Sequence, residues 1–138
     1  MRPAMHWYEE VEHTADWAFR VRGRSLQELF ANAAHAMFSL ERSVEMGKHD
    51  LVREVEVDGA DRETLLVNWL NELLYLGQEY REAYGRVDIL EINDGHLRAL
   101  VHGRHEDEAQ RYIKAVTFHN LELKCGSNGW EATLVLDV

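Results

Sequence analysis

The side chains best suited to chemistry in this 138-residue sequence are two aspartates at opposite ends of the chain. Asp16 stands directly before an alternating segment, and Asp137 precedes the final residue, Val138. Hard divalent cations such as Ca²⁺ and Mg²⁺ take their ligands from carboxylates, carbonyls and water. If the first and last strands are neighbours, Asp16, Asp137 and the main-chain or terminal oxygen of Val138 can together hold such an ion.

Both aspartates are predicted to stand on strands, because the segments beside them alternate between apolar and polar residues with period 2. In residues 17–22 the apolar positions are 17, 19 and 21, with arginine at positions 20 and 22. In residues 130–138 the apolar positions 130, 132, 134 and 136 share one face, and Asp137 points to the other. A strand would hold each carboxylate on a rigid element.

A helix and a further strand are predicted after the first of these segments. Ser25 and Glu28 have the spacing of a capping box, and apolar residues then recur at helical spacing over residues 26–40. Residues 41–50 are polar and indicate a loop, whereas residues 51–58 alternate again and indicate a strand.

A second helix is the strongest secondary-structure prediction in the chain. Asp61 is placed to cap it, and a wide apolar stripe extends from Leu65 to Tyr80. Trp69 belongs to this stripe and is interpreted as core packing rather than as part of a ligand site. Gly85 is the predicted C′ residue that ends the helix.

The remainder of the chain is predicted to form two hairpins. Residues 87–92 and 97–101 flank Asn93-Asp94-Gly95, a turn expected to use residues with φ > 0. A second pair of strands, residues 113–124 and the terminal segment, flanks the turn at residues 126–129. Tight turns leave no room for the crossover helices that parallel strands require. The sequence therefore predicts an α+β fold.

The expected architecture is a two-layer sandwich in which a mostly antiparallel sheet is covered by two helices. The length fits a single domain over residues 1–138. Hydrophobic content of 46% and charged content of 29% are ordinary for a globular protein. No apolar run approaches the length of a membrane span, no secretory signal is recognisable, and the single cysteine, Cys125, excludes an internal disulfide. We therefore expect a cytoplasmic protein.

The formal net charge of −10 restricts the classes of partner. A nucleic-acid backbone is bound by clustered Lys and Arg, which displace its counterions. Here the fifteen basic residues are scattered, and only Arg20, Arg22 and Arg24 form a stripe, which is interpreted as a solvated strand face. Direct nucleic-acid or membrane binding is not expected, and a basic protein surface is the favoured partner.

Four blocks of this sequence resemble the archease family, in the family's order and across essentially the whole chain. They are Glu12–Asp16, Leu65–Leu74, Lys114–His119 and Leu136–Val138. The resemblance implies an α+β sandwich and a cytosolic accessory protein of the RtcB-type tRNA-splicing ligase. Archeases promote guanylylation of the ligase's active-site histidine and allow the ligase to turn over repeatedly on RNA ends that carry a 2′,3′-cyclic or 3′-phosphate.

The resemblance also implies a bound divalent metal ion, most often calcium, with Mg²⁺ or Mn²⁺ as alternatives. Its ligands, carried over to this sequence, are Asp16, Asp137 and Val138. His13, Lys114 and His119 lie in the same motifs, and we expect them beside the metal or against the partner.

Two residues depart from the family's pattern. Family members often carry Tyr at the position of Phe118, so a phenolic hydroxyl is missing here. Asn68 stands where an acidic residue is common, which argues against cation binding by this helix position. Neither departure touches the expected metal ligands.

Other interpretations of the motif residues stay open. A zinc site built from His13, His119 and Asp16 is the weaker one, because no His spacing typical of zinc ligands supports it. Lys114 fits either a phosphate-binding lysine or an ordinary salt-bridge donor.

Three functional hypotheses follow from these interpretations of the sequence. The favoured one is a non-catalytic, metal-binding activator of the tRNA ligase. The alternative is a chaperone-like modulator of a tRNA-modifying methyltransferase, which needs no metal. A metal-dependent phosphohydrolase is disfavoured, because it would need a general base and a nucleophile near the cation, and the sequence shows no such constellation.

Overall fold

The computed structural model describes residues 8–11, 17–41, 50–106, 113 and 115–137, without the side chains of residues 9–11, 17, 41 and 118–122. The elements in chain order are β1 (Tyr8–Val11), β2 (Trp17–Gly23), α1 (Leu26–Glu41), β3 (Leu51–Asp58), α2 (Arg62–Tyr80), β4 (Glu82–Ile92), β5 (His96–His105), β6 (Ala115–Gly126) and β7 (Gly129–Asp137).

These strands form two sheets in which every pairing is antiparallel. The larger sheet has the order β1-β2-β7-β6, and the smaller has the order β3-β5-β4. The predicted α+β class, the antiparallel pairing, the two helices and the two late hairpins are confirmed. The strands are divided between two sheets, where the sequence suggested one.

Both helices contact strands of both sheets, so a shared apolar core joins the two halves of the molecule. Trp69 of α2 is fully buried in this core, and its Nε1 donates a hydrogen bond of 3.0 Å to the carbonyl of Phe30 on α1. A buried indole N–H needs such an acceptor, and the interpretation of Trp69 as a core residue is confirmed. In the part of the chain that the structure describes, no helix is long and apolar enough to cross a membrane.

Both helix starts are capped as the sequence predicts. The amide of Glu28 donates to the hydroxyl of Ser25 at 3.0 Å, and the carboxylate of Glu28 accepts from the amide of Arg24 at 2.9 Å. At α2 the amide of Thr64 donates to the carboxylate of Asp61 at 2.8 Å. This bond to Thr64 lowers the pKa of Asp61, because it favours the ionised carboxylate.

The predicted helix end at Gly85 is wrong. α2 ends at Tyr80, and Arg81 adopts the left-handed conformation (φ 54°, ψ 56°) while its amide donates to the carbonyl of Gly77. Gly85 lies inside β4, where the register with β5 shifts between Tyr84 and Arg86. The helix stops early because β4 already begins at Glu82, the residue after Arg81.

The expected turn geometry at residues 93–95 is also wrong. No residue of this turn has positive φ. The side chain of Asn93 instead accepts from the amide of Gly95 at 2.9 Å, and the amide of Asn93 donates to the carbonyl of His96. An asparagine side chain that bonds two residues onward closes the turn without a left-handed residue. In the following hairpin Gly129 does adopt positive φ, at 105°.

A buried carboxylate anchors the start of β4. Glu82 accepts two bonds from the guanidinium of Arg53 on β3, at 2.6 and 2.9 Å, and a third from the hydroxyl of Tyr84 at 2.7 Å. The same guanidinium lies over the Tyr80 ring, with the Cζ atom of Arg53 3.9 Å from the ring centre. Burial alone would raise the pKa of Glu82, but the bonds from Arg53 and Tyr84 outweigh it and lower the pKa.

His96 of β5 is surrounded by carboxylates on the exposed face of the smaller sheet. Its Nδ1 lies 2.6 Å from Asp58, and its Nε2 lies 3.0 Å from Glu56 and 3.8 Å from Glu91. The hydrogen bond with Asp58 is the main cause that raises the pKa of His96 above its ordinary value of 6.5.

Removing Arg53 alone should destabilise the protein strongly, because it takes away the guanidinium that donates two hydrogen bonds to the buried Glu82 carboxylate. We expect Arg53→Met to lower the free energy of unfolding by about 3 kcal/mol in urea titration. A triple variant, Arg53→Met with Glu82→Leu and Tyr84→Phe, removes all three side chains of this hydrogen-bonded group and should recover most of that loss. A triple variant less stable than Arg53→Met would contradict this account.

The raised pKa of His96 predicts a pH-dependent contribution to stability. A raised folded pKa means that the contribution is complete below the unfolded value near 6.5 and disappears as the pH rises through the folded value. The difference in urea midpoint between the parent chain and His96→Gln should therefore be largest below about pH 6.5 and should decrease as the pH rises above that value. A difference that grows with rising pH would disprove the assignment.

Candidate functional site

Of the predicted metal ligands, only Asp137 lies within the described residues. It is the last residue of β7, its side chain is exposed, and the preceding Leu136 is buried. Asp16 and Val138 lie outside the described residues. Their role as ligands therefore stays a prediction.

The three motif residues expected beside the metal or the partner are also only partly placed. His13 and Lys114 lie outside the described residues. The backbone of His119 belongs to β6, but its side chain is not among those described. The zinc alternative, which needs His13, His119 and Asp16, stays a prediction for the same reason. Within the described ranges no group of three or more His, Cys, Asp or Glu side chains is arranged to hold a metal ion.

The strand pairing that the metal hypothesis requires is present. Trp17, at the start of β2, pairs with Leu136, near the end of β7. Leu136 in turn pairs with Val116 at the start of β6. We call Trp17, Leu136 and Val116 the end row. It brings together chain segments from both ends of the sequence.

The expected motif residues are covalently close to this end row. Residue 16 is bonded to Trp17, and Asp137 is bonded to Leu136 and pairs with Ala115, the residue after Lys114. Because consecutive Cα atoms are 3.8 Å apart, chain connectivity limits how far these residues can lie from the row. The end row is therefore the candidate functional site.

Asn71 of α2 fixes one side of the end row, and the sequence analysis missed it. Its Nδ2 donates to the carbonyl of Val116 at 3.0 Å, and its Oδ1 accepts from the amide of Val116 at 2.8 Å. The side-chain amide thus bonds the edge strand β6 as a neighbouring strand would. In the sequence, Asn71 was one residue of the block Leu65–Leu74, a polar position beside the apolar stripe of α2, and no role was predicted for it.

The motif block at residues 117–119 coincides with an irregularity of β6. Thr117 pairs with Val135, but the next paired residue of β6, Glu122, lies opposite Thr133. Residues 118–121 therefore face only Leu134 on β7. Such bulges commonly occur beside functional sites, where they redirect side chains. The sequence predicted a strand over residues 113–124, and the irregularity within it was not predicted.

Three other residues considered in the sequence are Asn68, Cys125 and Arg22, and the structure gives a contact that explains Asn68 and Arg22. Asn68, one of the two departures from the family pattern, donates to the carbonyl of Asp58 at 2.8 Å and so ties α2 to the end of β3. Cys125 is an exposed free thiol near the end of β6. Arg22 pairs with Glu131 on the neighbouring strand at 3.1 Å, which agrees with its interpretation as part of a solvated face.

Comparison with known proteins gives a consistent result over nearly the whole chain. The model of the Archease protein family (MTH1598/TM1083) matches residues 8–138. Protein archease of Methanosarcina mazei is 37% identical in an alignment of 139 positions, which covers 95% of each chain. Protein archease of Pyrococcus abyssi is 37% identical over 144 residues, covering 97% of this chain and 100% of its own.

Two solved structures share the fold. The solution structure of Methanobacterium thermoautotrophicum protein 1598 has a TM-score of 0.79 and 33% identity, covering 97% of this chain and 100% of its own. The crystal structure of a Thermotoga maritima archease, described as a possible chaperone, has a TM-score of 0.64 and 21% identity, covering 99% and 100%. The second shows similarity of fold alone.

Replacing Asn71 should loosen the end row. We expect Asn71→Ala to lower the free energy of unfolding by about 2 kcal/mol, because both backbone groups of Val116 lose their partner. Asn68→Ala is the matched control: it removes one bond from the same helix and should cost about 1 kcal/mol. Urea titration measures both, and amide exchange at Val116 should accelerate only in Asn71→Ala. Equal losses with unchanged exchange would show that Asn71 does not hold β6.

Proposed function

The chain belongs to the archease family, and from this premise we propose that it is a non-catalytic, metal-binding activator of an RtcB-type tRNA-splicing ligase in the cytoplasm. It would promote guanylylation of the ligase and its repeated turnover during tRNA splicing or RNA repair. Its partner would be the ligase itself, and it would make no direct contact with nucleic acid or membrane.

The observation that supports the metal site is the pairing of Trp17 with Leu136. This register places the beginning of β2 and the end of β7 side by side, as a site shared by Asp16, Asp137 and Val138 requires. Carboxylate and main-chain oxygens form a donor set suited to a hard cation such as Ca²⁺, with Mg²⁺ or Mn²⁺ as alternatives. Asp16, Asp137 and Val138 would hold the ion, and its chemistry there would be the neutralisation of charge on phosphate oxygens.

The described residues support the proposal through position and charge. Asp137 is exposed at the end of a strand, so an approaching partner can reach it. Asn71 ties β6 to α2 at the end row, which opposes fraying where strands usually loosen. The net charge of −10 favours a basic protein partner and opposes contact with RNA phosphates.

Ligase guanylylation assays with Asp16→Ala and Asp137→Ala test the proposal. Both variants should lose most of the stimulation, and Ca²⁺ binding measured by calorimetry should weaken about tenfold or more. Asp94→Ala is the control, because Asp94 is an exposed carboxylate in the β4–β5 turn and pairs only with Arg62 among the described residues. Full stimulation by both site variants would remove the metal from the proposal.

The second candidate is a chaperone-like modulator of a tRNA-modifying methyltransferase. The Thermotoga maritima structure that shares the fold is described as a possible chaperone, which is consistent with this alternative. Affinity purification from cells separates the two functions. Recovery of a methyltransferase without the ligase would favour the second candidate, and recovery of the ligase would favour the first.

A further inference from the structure

In the part of the chain that the structure describes, β3 pairs with one strand, β5, and its other edge is open. β3 pairs with β5 without interruption, from Leu51 opposite Gly103 to Asp58 opposite His96. In an antiparallel edge strand, about half of the residues direct their N–H and C=O groups away from the sheet. Among the described residues, only Asn68 donates to the backbone of β3 from outside the sheet, at the carbonyl of Asp58.

Two other sheet edges in the described part of the chain are covered by helix side chains. Asn71 bonds both backbone groups of Val116 on β6, and Gln27 of α1 donates to the carbonyl of Ile89 on β4 at 3.2 Å. Natural proteins usually protect sheet edges in such ways. Among the described residues, no helix side chain bonds the middle of β3 in this way.

The exposed face of β3 carries a row of carboxylates, Glu54, Glu56 and Asp58, at every second residue. Their cationic neighbours, Arg98 and His96, both belong to β5 on the inner side of the row. The outer side of the row faces the open edge. An added strand with Lys or Arg at alternate positions would therefore place its charges opposite these carboxylates.

The same row opposes pairing with a second copy of β3. When two copies of β3 pair about a two-fold axis normal to the sheet, even-numbered residues lie opposite even-numbered residues and odd-numbered opposite odd-numbered. If the axis passes near the middle of β3, at residue 54, 55 or 56, the three possible registers place Glu54 opposite Glu54, Glu54 opposite Glu56, or Glu56 opposite Glu56. Directly opposed like charges destabilise a strand pair, so charge disfavours the homodimer and favours a basic partner. The carboxylates likewise repel the phosphates of a nucleic acid.

The helix beside β3 adds aromatic surface for such a strand. α2 contacts β3 near both strand ends, through Asn68 at Asp58 and through Tyr80 at Arg53. Tyr75 and Tyr80 are two of the large exposed apolar side chains of the described residues. Because side chains alternate across a strand, the residues between the basic ones would face this helix.

We infer that the edge of β3 binds an extended segment of a partner protein that carries Lys or Arg at every second position, with apolar residues between them. The segment adds a strand to the smaller sheet. This inference does not depend on the proposed metal site, which lies on the other sheet.

A synthetic octapeptide of alternating Lys and Val, with blocked termini, tests the inference against the intact chain. Amide hydrogen exchange should slow at alternate residues of β3 when the peptide is added, and not at β4. A peptide of alternating Glu and Val should give no such protection. Protection on another strand, or equal protection by both peptides, would overturn the inference.

Two charge reversals provide a matched comparison. Glu54 on β3 and Glu91 on β4 are equally exposed, at 57% and 58%, and both contact Arg98 from opposite sides. Glu54→Lys should weaken binding of the basic peptide about tenfold, whereas Glu91→Lys should leave it nearly unchanged. Equal effects of the two variants would contradict binding at the edge. A stable dimer of the chain alone, paired through β3, would overturn the choice of occupant.

Discussion

The antiparallel ladder between β2 and β7 joins residues from the two ends of the chain, and the candidate site depends on its register. Side chains alternate across a strand, so a shift of one residue would turn every side chain of β7 to the opposite face. Leu136 would then leave the core and Asp137 would enter it. The buried apolar residues of β7 therefore fix the direction of Asp137, and the stability of the core and the geometry of the end row have the same origin.

In the described part of the chain, side-chain amides from the two helices bond the edge strands β6 and β4 but not the middle of β3. Asn71 and Gln27 each bond a strand that ends a sheet: Asn71 bonds both backbone groups of Val116 on β6, and Gln27 bonds the carbonyl of Ile89 on β4. The edge of β3 carries carboxylates instead, a device that discourages pairing with like strands while it leaves the backbone accessible. The molecule thus has two distinct surfaces, the end row on the larger sheet and the β3 edge on the smaller.

Local features of the fold were predictable, because they depend on residues close together in sequence. The bounds of β3 and the start of α1 agree with the pattern of apolar residues, and the caps at Ser25 and Asp61 follow from side-chain chemistry. The predictions failed where distant contacts decide the outcome. Arg81, rather than a glycine, ends α2, since the next residue must reach Arg53 on another strand.

In the candidate site, too, local features could be predicted from the sequence and features that depend on distant contacts could not. The motif residues and their place near strand ends could be recognised from the sequence, and the pairing of Trp17 with Leu136 agrees with that expectation. The bond from Asn71 and the bulge at residues 118–121 could not be foreseen, because each arises only when β6 meets α2 and β7 in three dimensions.

The ladder between β2 and β7 also bears on the order in which the chain acquires its structure during synthesis. All three strands of the smaller sheet lie within residues 51–105, so they leave the ribosome well before β7 does. The larger sheet is completed later, because β7, one of its two central strands, is the last strand to be synthesised, and contacts between distant parts of a chain form slowly. A chain that ends before β7 therefore contains all three strands of the smaller sheet but has neither the β2–β7 ladder nor the end row.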